Sequence, residues 1–103
     1  MTDTRYQICM QSPMGVKKGH AQVCFQEGRI VLELLGGENL FSGSFVPEYA
    51  FQMFGTLKTA VSELPGRLQG TVSEQGLRAV LHTDSGDFPI EGILSGGHRD
   101  SSL

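Results

Sequence analysis

Residues 39–57 read NLFSGSFVPEYAFQMFGTL. One pattern occurs twice in this stretch, as Phe41-Ser-Gly43-Ser-Phe45 and as Met53-Phe-Gly55-Thr-Leu57. In each copy the apolar residues and a glycine share one phase of a two-residue repeat. That period marks a strand with one buried face, and Pro47-Glu48 between the runs reads as a turn. The same pattern returns as Leu68-Gln-Gly70-Thr-Val72 and Ile90-Glu-Gly92-Ile-Leu94. Glycine inside a strand weakens it, so this repetition needs a geometric reason. A narrow barrel supplies one, because its strands bend sharply and its interior cannot hold every inward Cβ. A two-sheet sandwich with glycines at bulges produces the same alternation. The barrel is the reading adopted.

Outward from this stretch the alternation continues almost everywhere. Tyr6, Ile8 and Met10 alternate with polar residues, as do Ala21, Val23 and Phe25, then Ile30, Leu32 and Leu34. Leu77, Ala79 and Leu81 follow the same rule. Eight strands are expected near 4–12, 18–26, 29–35, 39–46, 49–59, 64–73, 76–83 and 87–95. The one helical alternative is Ala50–Ser62, where Phe51, Phe54, Leu57 and Val61 make a stripe that Gly55, Thr56 and Thr59 weaken. The expected fold is therefore all-β: a single eight-stranded antiparallel up-and-down barrel over residues 1–97, then a polar tail over 98–103.

The connections suggest two unlike ends. Short turns are expected at Glu27-Gly28, Pro47-Glu48 and Glu74-Gln75-Gly76, and longer loops at SPMGVKKG (12–19), GGEN (36–39), TAVSELPG (59–66) and TDSGD (83–87). The longer loops would gather at one open end, where binding commonly resides. A weak echo at an offset of 47 residues relates Ser12, Gly19, Gln22 and Glu27 to Thr59, Gly66, Gln69 and Glu74, and shared turn chemistry accounts for it.

The chain has 103 residues, with 8 basic against 11 acidic side chains and a net charge of −3. An acidic balance argues against a nucleic-acid partner, whose phosphates are held by basic surfaces. No apolar run approaches the ~20 residues of a membrane-spanning helix, and no membrane partner is expected. The opening MTDTRYQ lacks the layout of a secretory signal, and two cysteines read as free thiols, so a cytoplasmic location is expected.

In size and in glycine pattern the meander resembles the small calycin-type barrels, and among them the streptavidin-like barrel. The resemblance implies the fold. Biotin recognition in that family leans on tryptophans and a polar cluster inside the barrel, whereas this chain has no Trp and an inferred lumen of aliphatic and Phe side chains. Biotin is not implied. Lipocalins and fatty-acid-binding proteins are longer, and the lipocalin Gly-x-Trp entry motif is absent.

Chemistry is sparsely signalled. His20, His82 and His98 have no metal-ligand spacing, although His82 and Asp84 straddle one turn; neither a metal nor a cofactor is expected. Cys9 and Cys24 would lie opposite one another if the first hairpin centred near Val16-Lys17; the plainer reading is two separate half-buried thiols. No catalytic residue is assigned. Tyr6 is the inward phenol, with its hydroxyl expected to reach water at the closed end.

The candidate ligand site is the open end and lumen: Ser12, Lys17, Lys18, His20, Lys58, Thr59, Leu68, His82 and Thr83. An apolar body in the lumen and an anionic head at the lysines would suit a small apolar or amphipathic molecule. The leading function is a non-enzymatic binding barrel. The alternatives are an interaction or structural module with a filled core, and a cyclase-like barrel enzyme using Tyr6 or His82. On the outer phase, Val31, Leu35, Leu40, Val46 and Phe54 gather on the third to fifth strands, joined by Val80 and Ile93 elsewhere. A contiguous apolar patch of this kind points to a homodimer or higher homo-oligomer.

Overall fold

A computed structural model describes residues 4–46 and 50–94. Its strands are β1 (Thr4–Ser12), β2 (Gly15–Cys24), β3 (Arg29–Leu34), β4 (Gly37–Val46), β5 (Ala50–Lys58), β6 (Glu63–Ser73), β7 (Gly76–Thr83) and β8 (Gly86–Leu94). Each pairs antiparallel with its neighbours in sequence, and β8 returns to β1 through the register Tyr6↔Leu94 to Met10↔Ile90. The chain is a closed eight-stranded up-and-down barrel. Closure excludes the open sandwich, and β5 occupies the segment that offered a helix. No helix among the described residues is long and apolar enough to cross a membrane. The expected tail, 98–103, lies outside the described residues.

The inward phase fills the barrel. Ile30, Leu32, Phe41, Met53, Leu68 and Leu81 are only 0–1 % exposed. A side chain this inaccessible touches protein on every side, and each such burial stabilises the fold by about 1.5–3 kcal/mol. Phe45 stacks between Phe25 and Phe51, with ring centroids 4.9 and 5.8 Å apart, and closes the end at which β1 begins. At that end Tyr6 is buried, and its hydroxyl donates to the Ser73 carbonyl at 3.0 Å.

The repeated glycines have the steric cause that the sequence implied. A Cβ on Gly43 would run into the Gln52 carbonyl oxygen and lie 2.8 Å from the Met53 Cα. One on Gly92 would lie 2.7 Å from the Ile8 Cγ2. Neighbouring strands approach so closely at these bends that no side chain fits between them.

Several expectations about the connections are corrected. Ser12 pairs with Gly15, so the first hairpin turns through Pro13-Met14 alone, and β2 begins three residues before the expected start at Lys18. The β7–β8 turn is likewise Asp84-Ser85. The reason is a Ser/Thr-x-x-Gly device. Ser12 Oγ accepts from the Met14 N–H at 3.2 Å and donates to the Gly15 carbonyl at 2.7 Å, while Thr83 repeats both bonds around Ser85 and Gly86. Gly15 and Gly86 take positive φ values of 108° and 132°, which a residue with a Cβ resists. Gly19, where the expected loop and strand overlapped, lies inside β2 against the Glu33 carbonyl. Among the described residues, accordingly, no end is crowned by long loops.

Candidate functional site

The residues expected at an open end are dispersed over different environments. Leu68 is buried in the packed interior. Ser12, Thr59 and Thr83 are engaged in their own turns; Thr59 Oγ1 accepts from the Val61 and Ser62 N–H groups and donates to the Ser62 carbonyl at 3.0 Å. Lys17 is half-buried at the rim opposite Met10, and Lys58 faces out opposite Glu63. His82 lies on the outer phase of β7, where its Nδ1 meets Asp87 Oδ1 at 3.0 Å. Its partner is the cross-strand Asp87 and not the turn residue Asp84. Lys18 and His20 of the set line one cavity together.

That cavity is outside the barrel. An open depression of about 1030 Å³ runs across β2, β1, β8 and β7 to the last residues of β6. Its floor follows one continuous cross-strand row, Thr71–Arg78–Glu91–Cys9–Lys18, set by the registers of four successive strand pairs. The next row adds His20, Gln7 and Ile93. Charge therefore alternates along the floor, with the half-buried Cys9 between Glu91 and Lys18 and an exposed Ile93 beside them. The ion pairs among the described residues are Arg5–Glu33, Arg29–Glu27 and His82–Asp87, so Lys18, Arg78 and Glu91 belong to none of them. With His20 neutral the groove carries two cations against one carboxylate, or 2 − 1 = +1. At its margin Arg5 reaches across β2 to grip Glu33 at 2.8 and 3.3 Å.

On the far side of the barrel the apolar outer residues separate into a true cluster and outliers. Val31 sits directly opposite Leu40, and Phe54 lies diagonal to Leu40 because it pairs with Ser42. Leu40 and Phe54 are 51 % and 58 % exposed. Leu35 is instead the tip of the β3–β4 turn, and Val46 is at the opposite end of β4, across from Ala50.

The remaining candidates are dispersed. Cys9 pairs with Lys18 and Cys24 with Arg29, so the two thiols lie far apart along the β1–β2 hairpin and no disulfide joins them. Cys24, whose phase was read as outward, is the last residue of β2 and is buried. Burial raises the Tyr6 phenol above its ordinary value near 10, and its proton is committed to the Ser73 carbonyl. Tyr6 and His82 thus stand on opposite sides of the wall. No group of three or more His, Cys, Asp or Glu among the described residues is placed to hold a metal ion.

Sequence reasoning missed the groove and Asn39. Arg78, Glu91, Cys9 and Ile93 were visible as outward residues, but only the Pro13-Met14 turn brings Cys9 opposite Lys18, and only closure brings it opposite Glu91. Asn39 falls on the inward phase and is buried. Its Nδ2 donates to the Leu32 carbonyl at 3.0 Å, and its Oδ1 accepts from the Lys58 N–H at 2.8 Å. It joins β3 to β5 just past Phe41↔Gly55, where the β4–β5 ladder stops. A polar residue in an apolar phase was the available signal.

No protein-family model, curated protein or solved structure matches this chain.

Proposed function

We propose that this protein is a non-enzymatic binding barrel for a small amphipathic molecule, held on the outer face of β2–β1–β8–β7. The architecture resembles the calycin-type and streptavidin-like barrels, which hold one small ligand in the lumen. Here the lumen is filled by the protein's own side chains, and the observation that carries the proposal is the groove on the other side of that wall. Its apolar contacts come from Ile93 and the flank of Cys9, and its charge is set by Lys18, Arg78 and Glu91. A molecule with a short hydrocarbon part and an anionic head matches that lining, since a positive excess in a concave site favours an anion. The cytoplasmic assignment rests on Cys9 and Cys24 not being joined in a disulfide, which suits a reducing compartment.

The test is a nitrogen-15 NMR titration with laurate below its critical micelle concentration, alongside the native mass of the protein as purified. Saturable shifts should centre on Cys9, Lys18, Arg78 and Ile93, and Arg78→Glu should weaken binding about tenfold. Shifts centred on Leu68 and Phe41 would move the ligand into the lumen. No saturable shift, together with a native mass free of adduct, would remove the binding reading. The interaction-module reading draws on the Val31–Leu40–Phe54 cluster.

A further inference from the structure

The barrel is closed, so no strand edge is free to accept another strand. Anything that covers the β3–β5 face must therefore dock on side chains. The cluster there is bracketed by charge in a definite order. Along β4, Glu38 is the outward residue next to Leu40; across β5, Phe54 lies directly opposite Arg67 of β6. Read diagonally over the face, the sequence is Glu38, Leu40, Phe54, Arg67: acid, apolar, apolar, base. Glu33, beside Glu38, is already held by Arg5, whereas neither Glu38 nor Arg67 belongs to an ion pair among the described residues.

We infer that this face binds a second copy of the same chain in a twofold dimer. The diagonal is a palindrome in chemistry. A twofold axis lying in the interface and passing between Leu40 and Phe54, near Thr56, sets Leu40 of each copy on Phe54 of the other. The same operation brings each Glu38 to an Arg67. An isologous contact needs one patch complementary to itself, and this order of residues meets that need. A partner of uniform charge would meet one end of the diagonal with repulsion. The apolar part is small beside the ~800 Å² that each partner buries in a standard interface, so the charge pairs decide orientation and the dimer is reversible.

Sedimentation equilibrium over a micromolar-to-millimolar series tests this. The wild-type mass should rise from 11.2 kDa towards 2 × 11.2 = 22.4 kDa. Glu38→Arg and Arg67→Glu should each raise the dissociation constant about tenfold or more, and the double variant should recover the wild-type value. Phe54→Ser should leave a monomer with an unchanged far-ultraviolet spectrum, which separates loss of contact from loss of fold. A wild-type chain that stays monomeric at millimolar concentration overturns the inference and gives the face to some other partner. A dimer indifferent to either single charge reversal, or one that the double variant fails to restore, overturns it equally.

Discussion

The two outer faces of this barrel are built on the same inward pattern and differ in almost everything else. Over β2, β1, β8 and β7 the outward residues alternate in charge around a thiol and form a depression. Over β3, β4 and β5 the outward residues Val31, Leu40 and Phe54 are apolar, with charge only at the margins. Because the interior is closed by its own packing, the difference between the two faces lies on the outward phase. One face is a depression lined by mixed charge and the other an apolar cluster with charge at its margins.

Each face rests on one polar anchor beneath it, and removing the anchors separates the two. Asn39 stands under the apolar face. Replacing it by Leu leaves the Leu32 carbonyl and the Lys58 N–H without their buried partner, and each unsatisfied group costs about 1–3 kcal/mol. Asn39→Leu should therefore destabilise the fold by roughly 3 kcal/mol in urea unfolding. It should also broaden the NMR signals of Leu40 and Phe54 before those of Cys9 and Ile93. Uniform broadening over both faces would show that the barrel gives way as one unit.

Tyr6 is the corresponding anchor under the groove, tied to Ser73 at the groove's end. Tyr6→Phe keeps the ring and loses one hydrogen bond, so a loss of about 1 kcal/mol is expected. The pH dependence gives an independent check. The folded phenol holds its proton more tightly than the unfolded one, so the unfolded chain ionises first as pH rises through 10. The unfolded state then binds fewer protons than the native state, and stability falls with rising pH. It is complete below pH 10 and is lost as pH climbs through the raised folded value. The Phe variant should lack this component of the alkaline loss; identical profiles for the two proteins would show that other groups cause it.

The interior of this molecule was readable because strand alternation is a local property: Ile30, Leu32, Phe41, Met53 and Leu81 declare their phase to their immediate neighbours. The faces were not readable to the same depth, because they depend on register. Reading residues 12–19 as one loop left Cys9 without Lys18 as its neighbour and made a pairing of Cys9 with Cys24 conceivable. Ser12-Pro13-Met14-Gly15 and Thr83-Asp84-Ser85-Gly86 share a hydroxyl residue three places before a glycine, and that spacing would have placed both turns. The rim hydroxyls read as ligand donors are turn formers for the same reason.

Leu35 tests the boundary of the apolar face most finely. Grouped by phase alone it belongs with Val31 and Leu40, yet it occupies the first central position of the Leu35-Gly36 turn with a φ of 57°. A left-handed backbone costs a residue with a branched side chain about 1 kcal/mol, and Asn tolerates it better. If Leu35 only shapes the turn, Leu35→Asn should raise the stability of the monomer by roughly 0.5–1 kcal/mol and leave the dimer dissociation constant unchanged. If its exposed side chain is instead part of the contact, the same substitution weakens the dimer while stabilising the monomer. Thermal unfolding at low concentration and sedimentation at high concentration read the two effects separately. The turn geometry favours the first outcome, since Leu35 stands beyond the last strand pair, Leu34↔Gly37, and so outside the ladder that carries Leu40.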